Sequence, residues 1–427
     1  MQKIYYPEDR IPFLQLVPMG LQHVVAMFGA TVLAPILMGF DPQVALFFSG
    51  VGTLIFVFAT AFKVPSYLGS SFAFIGPVLA VTGKDASRIP EALCGIAAAA
   101  VLYALAAAYT MRQGPGWIDR LMPPVVTGTV VAIIGLNLAS SAVANAVNTE
   151  FAIRGTTDLL KLAVSTGTFL TAALVSIYLR GFLRLLPILT GVVAGCVLAA
   201  FLGLLDPSAV EAVKSAAWVG LPPFQTPRWD FGAVLAIAPI AIVLLAENKG
   251  HIAAISGCMG RDLNPHLGRA YLGDALATFV SAMGGGTPQT TYAENMGVMA
   301  ITRVFSTWNF VMAACIALLL GLCPKFGALI LCIPAPVLGG VTLILYGLIA
   351  LMGVRIWIDA KVDFCDHRNM VVAGSSIIAA TGLGLKGLTV AGVNIAGIAL
   401  GTLLALVVNL ALSLGAPADR QDKKTCA

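Results

Sequence analysis

The chain has 427 residues, 59% of them hydrophobic and 11% charged, with a formal net charge of +5. Soluble domains carry about a quarter charged residues, so this composition excludes an ordinary soluble enzyme or binding module and describes an all-α polytopic membrane protein. A β-barrel would show short alternating strands, the small positive charge calls for no nucleic-acid partner, and the eight cysteines lie scattered without a C-x-x-C or His/Cys cluster, so neither a disulfide framework nor a metal site is indicated.

Met1 to Arg10 is polar and the run after it is long enough to span, so no cleavable signal peptide is expected. A spanning helix needs about 20 apolar residues. Candidate segments cover 14–38, 43–62, 67–82, 90–110, 123–144, 160–180, 184–204, 231–258, 271–284, 289–303, 306–323, 327–354, 369–385 and 389–413, fourteen in all. The third and tenth are short and broken. Lys and Arg are unevenly placed. With the N-terminus cytoplasmic, about 16 of the 25 basic residues fall on that side, among them Lys63, Arg112, Arg180, Arg261, Arg303 and Arg368, so both termini are expected in the cytoplasm. The longest opposite-side connection, 206–230, carries Trp218 and a Pro-Pro pair and reads as an interfacial stretch.

An internal repeat is visible. Pro124-Val-Val-Thr-Gly128 matches Pro336-Val-Leu-Gly-Gly340, and Gly135-Leu136 matches Gly347-Leu348, at a constant offset of 212 residues (336 − 124 and 347 − 135). These blocks fall in segments five and twelve, seven apart, as are the broken segments three and ten. A repeat of an odd number of spans places its copies in opposite orientation, and interrupted segments at matching places in two halves point to a transporter's midplane site. The expected division is a first repeat at 1–205, the connection 206–230 and a second repeat at 231–427.

Segment ten lies in Gly284 to Arg303, GGGTPQTTYAENMGVMAITR. Three glycines and a proline break any helix; Gln289-Thr-Thr-Tyr292 reads as extended chain, and Glu294-Asn295 opens a half-helix. Bare backbone at membrane depth is tolerated only where protein buries it or it lines a cavity, and a carboxylate there marks a functional site. The plainer alternative, a polar loop, has hardly room between apolar segments. In segment three, Gly69-Ser-Ser71 loosens the chain before Phe72, and the free N–H groups of such a half-helix start can bind carbonyl oxygens or anions; helix packing through small residues is the alternative.

Segment eight contains Ala246-Glu-Asn-Lys-Gly-His251. Glu247 and His251 are i and i+4 and share one helix face, a pattern suited to a proton relay or to a static ion pair. Lys249, on the opposite face, either neutralises an acid such as Asp274 or snorkels toward the cytoplasm. His23 sits in the first apolar run, where a lone histidine more often satisfies packing. Tyr292 and Tyr346 offer hydroxyls to the site or act as interfacial aromatics. Two carboxylates that accept and two half-helix starts that donate suit a small planar solute carrying N–H beside C=O. No phosphate-binding loop, nucleophile or metal cluster suggests an ATPase or a membrane enzyme.

These residues resemble the nucleobase–ascorbate transporter family, also called nucleobase:cation symporters, and most of all its bacterial uracil and pyrimidine permeases. Gln22-His23 with Phe28-Gly-Ala-Thr-Val-Leu33, Ser70-Ser-Phe-Ala-Phe74, Ala246-Glu247 through Gly250-His251, and Glu294-Asn295-x-Gly297-x-x-x-x-Thr302-Arg303 carry the likeness over almost the whole chain. The resemblance implies fourteen spans in two inverted repeats of seven, core and gate domains, a homodimer in the bacterial inner membrane, and proton-coupled import of a nucleobase with no other cofactor. It implies that Glu247 and Glu294 accept the substrate's N–H groups, that the backbone N–H groups of Phe72 and Ala293 hold its carbonyls with Tyr292 nearby, that His251 couples protonation to binding with His23 in a supporting network, and that Tyr346 is a possible gate. Glu at 294, where purine members carry Gln, favours uracil or a close pyrimidine. The rival readings are a purine (xanthine or urate) symporter and an anion transporter of the same seven-plus-seven architecture. Ala293, where Gly is common, and Lys249, where a neutral residue is usual, depart from the pattern.

Overall fold

The computed structural model describes residues 4–83, 85–180, 186–390 and 393–414. The chain is a mostly helical membrane protein, and each apolar segment predicted from the sequence contains a helix. In order they are α1 (Phe13–Met38), α2 (Pro42–Ala59), β1 (Leu68–Ser70), a 3-10 turn (Phe72–Phe74) running into α3 (Ile75–Thr82), α4 (Ile89–Gln113), α5 (Gly116–Leu121), α6 (Pro124–Asn137), α7 (Ala139–Ala146), α8 (Thr156–Tyr178), α9 (Pro187–Phe201) and α10 (Pro207–Ser215). There follow α11 (Phe231–Ile237), α12 (Ile240–Met259), α13 (Leu267–Met283), β2 (Gln289–Thr291), α14 (Ala293–Thr302), α15 (Thr307–Gly321), α16 (Pro324–Leu331), α17 (Ala335–Asp359), α18 (His367–Leu383), a hairpin of β3 (Leu388–Val390) and β4 (Val393–Ile395), and α19 (Gly397–Leu414).

Among the described residues, seven helical stretches are long and apolar enough to cross a membrane, or eight if α15 and α16, bent by 83°, count as one. The other segments are shorter or interrupted. Segment twelve, expected as one run from 327, is cut at Cys332–Pro334; Pro334 caps α17 and cannot continue α16. Segment fourteen opens with the β3–β4 hairpin, because Thr389 and Ile395 are β-branched and Gly387, at φ +65°, turns the chain into it. The outward faces of α4, α8 and α18 leave Leu105, Leu170, Leu174, Ile177 and Ile378 exposed, as lipid-facing surfaces require.

The helices pack in two groups. One brings α2 against α13 and α15, α4 against α11 and α13, and α1 against α15; the other sets α17 against α6, α7, α8 and α9, and α18 and α19 against each other and α6. The second group is drawn tight by small residues. A Cβ on Gly128 would come within 2.7 Å of the Gly353 carbonyl, and one on Gly135 within 2.6 Å of Ala350 N, so α6 and α17 touch backbone to backbone. The groups face each other where α12 meets α6 and α19.

Candidate functional site

At the centre, the two broken segments cross. β1 and β2 pair antiparallel, with Leu68 opposite Thr291, Gly69 opposite Thr290 and Ser70 opposite Gln289. The ladder is extended at both ends by Ser71 N–H donating to the Pro288 carbonyl (2.9 Å) and Tyr292 N–H donating to the Tyr67 carbonyl (3.0 Å). In lipid each unpaired backbone group costs several kcal/mol, so this short ladder is what permits extended chain at this depth. Gly69 is required there: a Cβ would come within 2.6 Å of the Tyr292 hydroxyl. Tyr292 then donates to the Ser70 carbonyl (3.1 Å) and accepts from Thr31 on α1 (3.4 Å).

Each strand turns at once into a helical start. Ser71 precedes the 3-10 turn at Phe72 and Tyr292 precedes α14, and neither supplies a side-chain cap. The first N–H groups of both starts therefore lack the side-chain acceptor that usually covers them. Glu294 lies in the first turn of α14, where the helix dipole favours a negative group.

α12 passes beside this crossing. Glu247, His251, Phe72, Thr290, Thr291, Tyr292, Ala293 and Glu294 line one cavity of about 40 Å³, room for a few waters at most. Its far wall is apolar: Val131 and Ile134 of α6, and Ile349 and Met352 of α17, each pair one turn apart. The cavity thus lies between the two helix groups. Glu247 and His251 are 8% and 7% exposed, and Glu294 is half-buried at the cavity edge. The His251 imidazole is held by Thr291 (Nδ1 to Oγ1, 2.8 Å), which ties α12 to β2. Among the described residues, Glu247 Oε2 is buried without a hydrogen-bond partner, an orphan acceptor that a ligand's donor can satisfy. Two acidic side chains and two helix starts without a capping side chain around one slot can bind a flat solute with both donors and acceptors.

Six of the residues singled out from sequence (Phe72, Glu247, His251, Tyr292, Ala293 and Glu294) come together here. His23 and Tyr346 do not line the cavity. His23 is one layer behind, where Asn295 Nδ2 reaches its Nδ1 (3.1 Å) and its carbonyl (3.2 Å) and Phe310 packs on its ring at 4.5 Å. Tyr346 of α17 meets the Phe72 ring edge-on at 6.0 Å, which places it behind that cavity-lining aromatic. Lys249 does not meet Asp274. Its ammonium turns to Asp119 (2.8 Å) and the Met122 carbonyl (2.9 Å), while Asp274, buried behind α12, takes a hydrogen bond from Asn248, which also donates to Tyr103 (3.0 Å). Sequence reading missed Val131, Ile134, Ile349 and Met352; the repeat marks their helices, but an apolar side chain on a cavity wall looks like one facing lipid.

A family model described as "Permease family" matches residues 14–392. Among curated proteins, the chain is 46% identical over 415 residues to the provisionally named pyrimidine permease RutG of Escherichia coli (strain K12), covering 95% of this chain and 91% of that one. It is 42% identical to the uracil permease of Bacillus caldolyticus (95% and 94% covered) and 40% identical to the uracil permease of Escherichia coli (strain K12) (95% and 93%). Among solved structures, the transmembrane domain of the cyanobacterial bicarbonate transporter BicA superposes with a TM-score of 0.62 at 15% identity, covering 94% of this chain and 99% of that one. The murine anion transporter Slc26a9 in its inward-facing state gives 0.63 at 10% identity, covering 96% and 70%. At these identities the structures share the fold alone.

Proposed function

Since this chain belongs to the nucleobase–ascorbate transporter family, we propose that it is a proton-coupled symporter importing uracil or a close pyrimidine by alternating access. The observation that carries the reading is the slot in which two uncapped helix starts face Glu247 and Glu294. Uracil presents N–H beside C=O around one flat ring. Its N–H groups pair with the carboxylates, and its carbonyls take the N–H groups of Phe72 and Ala293. The names of the relatives, uracil and pyrimidine permeases, point the same way. His251 couples a proton to binding through its position one turn from Glu247, and His23 supports Glu294 by way of Asn295.

In this reading the chain crosses the inner membrane fourteen times as two inverted repeats, 1–205 and 231–427, joined by 206–230, with both termini cytoplasmic. The group holding α1–α4 and α11–α15 is the core, and the group holding α6–α9 and α17–α19 is the gate. Their relative motion opens the slot to either side, and two copies associate through the gate. The anion-transporter reading shares the fold, but an anion site would not present two carboxylates.

Uptake of radiolabelled uracil into proteoliposomes, with and without an inward proton gradient, tests the proposal. Gradient-dependent accumulation that a protonophore abolishes is expected. Uptake of xanthine or bicarbonate but not uracil overturns the substrate, and accumulation indifferent to the gradient overturns the coupling.

A further inference from the structure

Lys249 is a charged residue beside the site that the site does not use. It lies on α12 between Glu247 and His251, and its side chain is 16% exposed, against 63% for its partner Asp119. Among the described residues it makes the only ion pair formed by α12. Its second partner, the Met122 carbonyl, also receives the Thr127 hydroxyl (3.1 Å). Met122 is the non-helical joint between α5 and α6, at φ −125° and ψ 70°. Next to it, Gly250 is packed so closely on α17 that a Cβ would come within 2.9 Å of Ile356. One ammonium therefore ties the helix bearing the polar wall of the cavity to the joint from which the apolar wall, Val131 and Ile134, departs.

The joint lies on the same face as the N-terminal segment. Met111, near the end of α4, packs on Gly268 at the start of α13, and the turn before α13 carries Arg261, which pairs with Glu8. We propose that Lys249 is a positioning residue: held by Asp119 and Met122, it fixes the separation of α12 from α6 and keeps the cavity closed toward the face of the N-terminal segment. Opening to that face breaks the Lys249–Asp119 pair. The inference builds on the proposed transport function, but its main readout needs no substrate.

A cysteine reporter in the apolar wall, Met352→Cys, is labelled by a membrane-impermeant maleimide applied from the N-terminal-segment face, and its modification is read by peptide mass spectrometry. Adding Asp119→Asn or Lys249→Met should raise its labelling rate roughly three- to fivefold, the scale of one partly exposed ion pair. The swap Lys249→Asp with Asp119→Lys should return it to within about twofold of the reporter alone. Uracil turnover should change with Asp119→Asn while uracil Kd stays within about twofold. Unchanged labelling with Asp119→Asn, an exposed residue whose loss leaves the fold intact, overturns the proposal even if Lys249→Met fails to fold. Failure of the unsubstituted protein to bind or take up uracil would sink the transport reading and leave the labelling result to decide this one.

Discussion

Glu294 and Tyr292 are two residues apart and hold opposite kinds of partner. The Tyr292 hydroxyl is engaged within the protein, with Ser70 and Thr31, whereas Glu294 lines the cavity with no hydrogen bond to another side chain among the described residues. Glu294→Gln keeps the shape and one acceptor but removes the charge. Because a hydrogen bond to a charged group is worth roughly 1.5–3 kcal/mol, uracil affinity should fall about tenfold or more, with the melting temperature little changed; equilibrium binding to the purified protein checks both. Tyr292→Phe should do the reverse. It costs about 1–2 kcal/mol of stability by stripping a donor from the buried Ser70 carbonyl, with a smaller loss of affinity. Sequence made the polar members of this site legible: Glu247 and His251 sit one helical turn apart, and Glu294 follows a Gly/Pro break that no plain span would carry. The direction of Lys249 was not legible, because the sequence offers several acids, Asp119 and Asp274 among them, and only packing selects the partner.

At the scale of elements, the structure depends on places where backbones approach without side chains between them. Gly69→Ala would drive a methyl into the Tyr292 ring. Overpacking of this kind costs about 1–3 kcal/mol, so the variant should lose ligand binding and thermal stability together. Gly128→Leu would wedge α6 from α17 and move Val131 and Ile134 out of the cavity wall; its effect should appear as loss of binding with the β1–β2 crossing intact, measured by amide exchange at Tyr292. A third close approach is the N-terminal segment. Tyr5 N–H donates to Arg303 (3.1 Å), Phe305 N–H to Tyr5 (2.8 Å) and Thr307 N–H to Pro7 (3.1 Å), and Arg261 sits over the Tyr6 ring at 3.5 Å while pairing with Glu8. The Arg261 hydrogen bond holds the Glu8 carboxyl below its usual value of 4.5. A lowered folded value stabilises above the unfolded one and is lost as pH falls through the folded one. Both partners are nearly half exposed, so the contribution is below about 1 kcal/mol. Amide exchange at Phe305 and Thr307, corrected for intrinsic rates, should rise on acidification below about pH 4.5 in the parent protein. It should start higher and stay flat in Glu8→Gln. The elements hardest to foresee were α16 and the β3–β4 hairpin, since both lie inside continuous apolar runs where hydropathy alone prefers a single helix.

For the whole molecule, the cavity is a seam between two helix groups, and its two walls have different chemistry. The polar wall carries the groups able to hydrogen-bond a solute, and the apolar wall supplies shape. Substitutions at Ile349 or Met352 should therefore alter which ring is accepted more than how tightly the preferred one is held: Met352→Ala should widen the slot and raise the relative uptake of larger bases in competition with uracil. The equal acceptance of large and small bases before and after the change would show that this wall does not select.

The β1–β2 ladder joins residues 219 positions apart (289 − 70). At roughly 5–20 residues per second of synthesis, Leu68–Ser70 emerges about 10–45 seconds before its partner exists. During that interval the first broken segment enters the bilayer with an open backbone edge and no strand to close it. The nascent first half is thus a client for whatever shelters polar backbone in the membrane, and biogenesis should be most sensitive to interruption between the synthesis of Ser70 and that of Gln289.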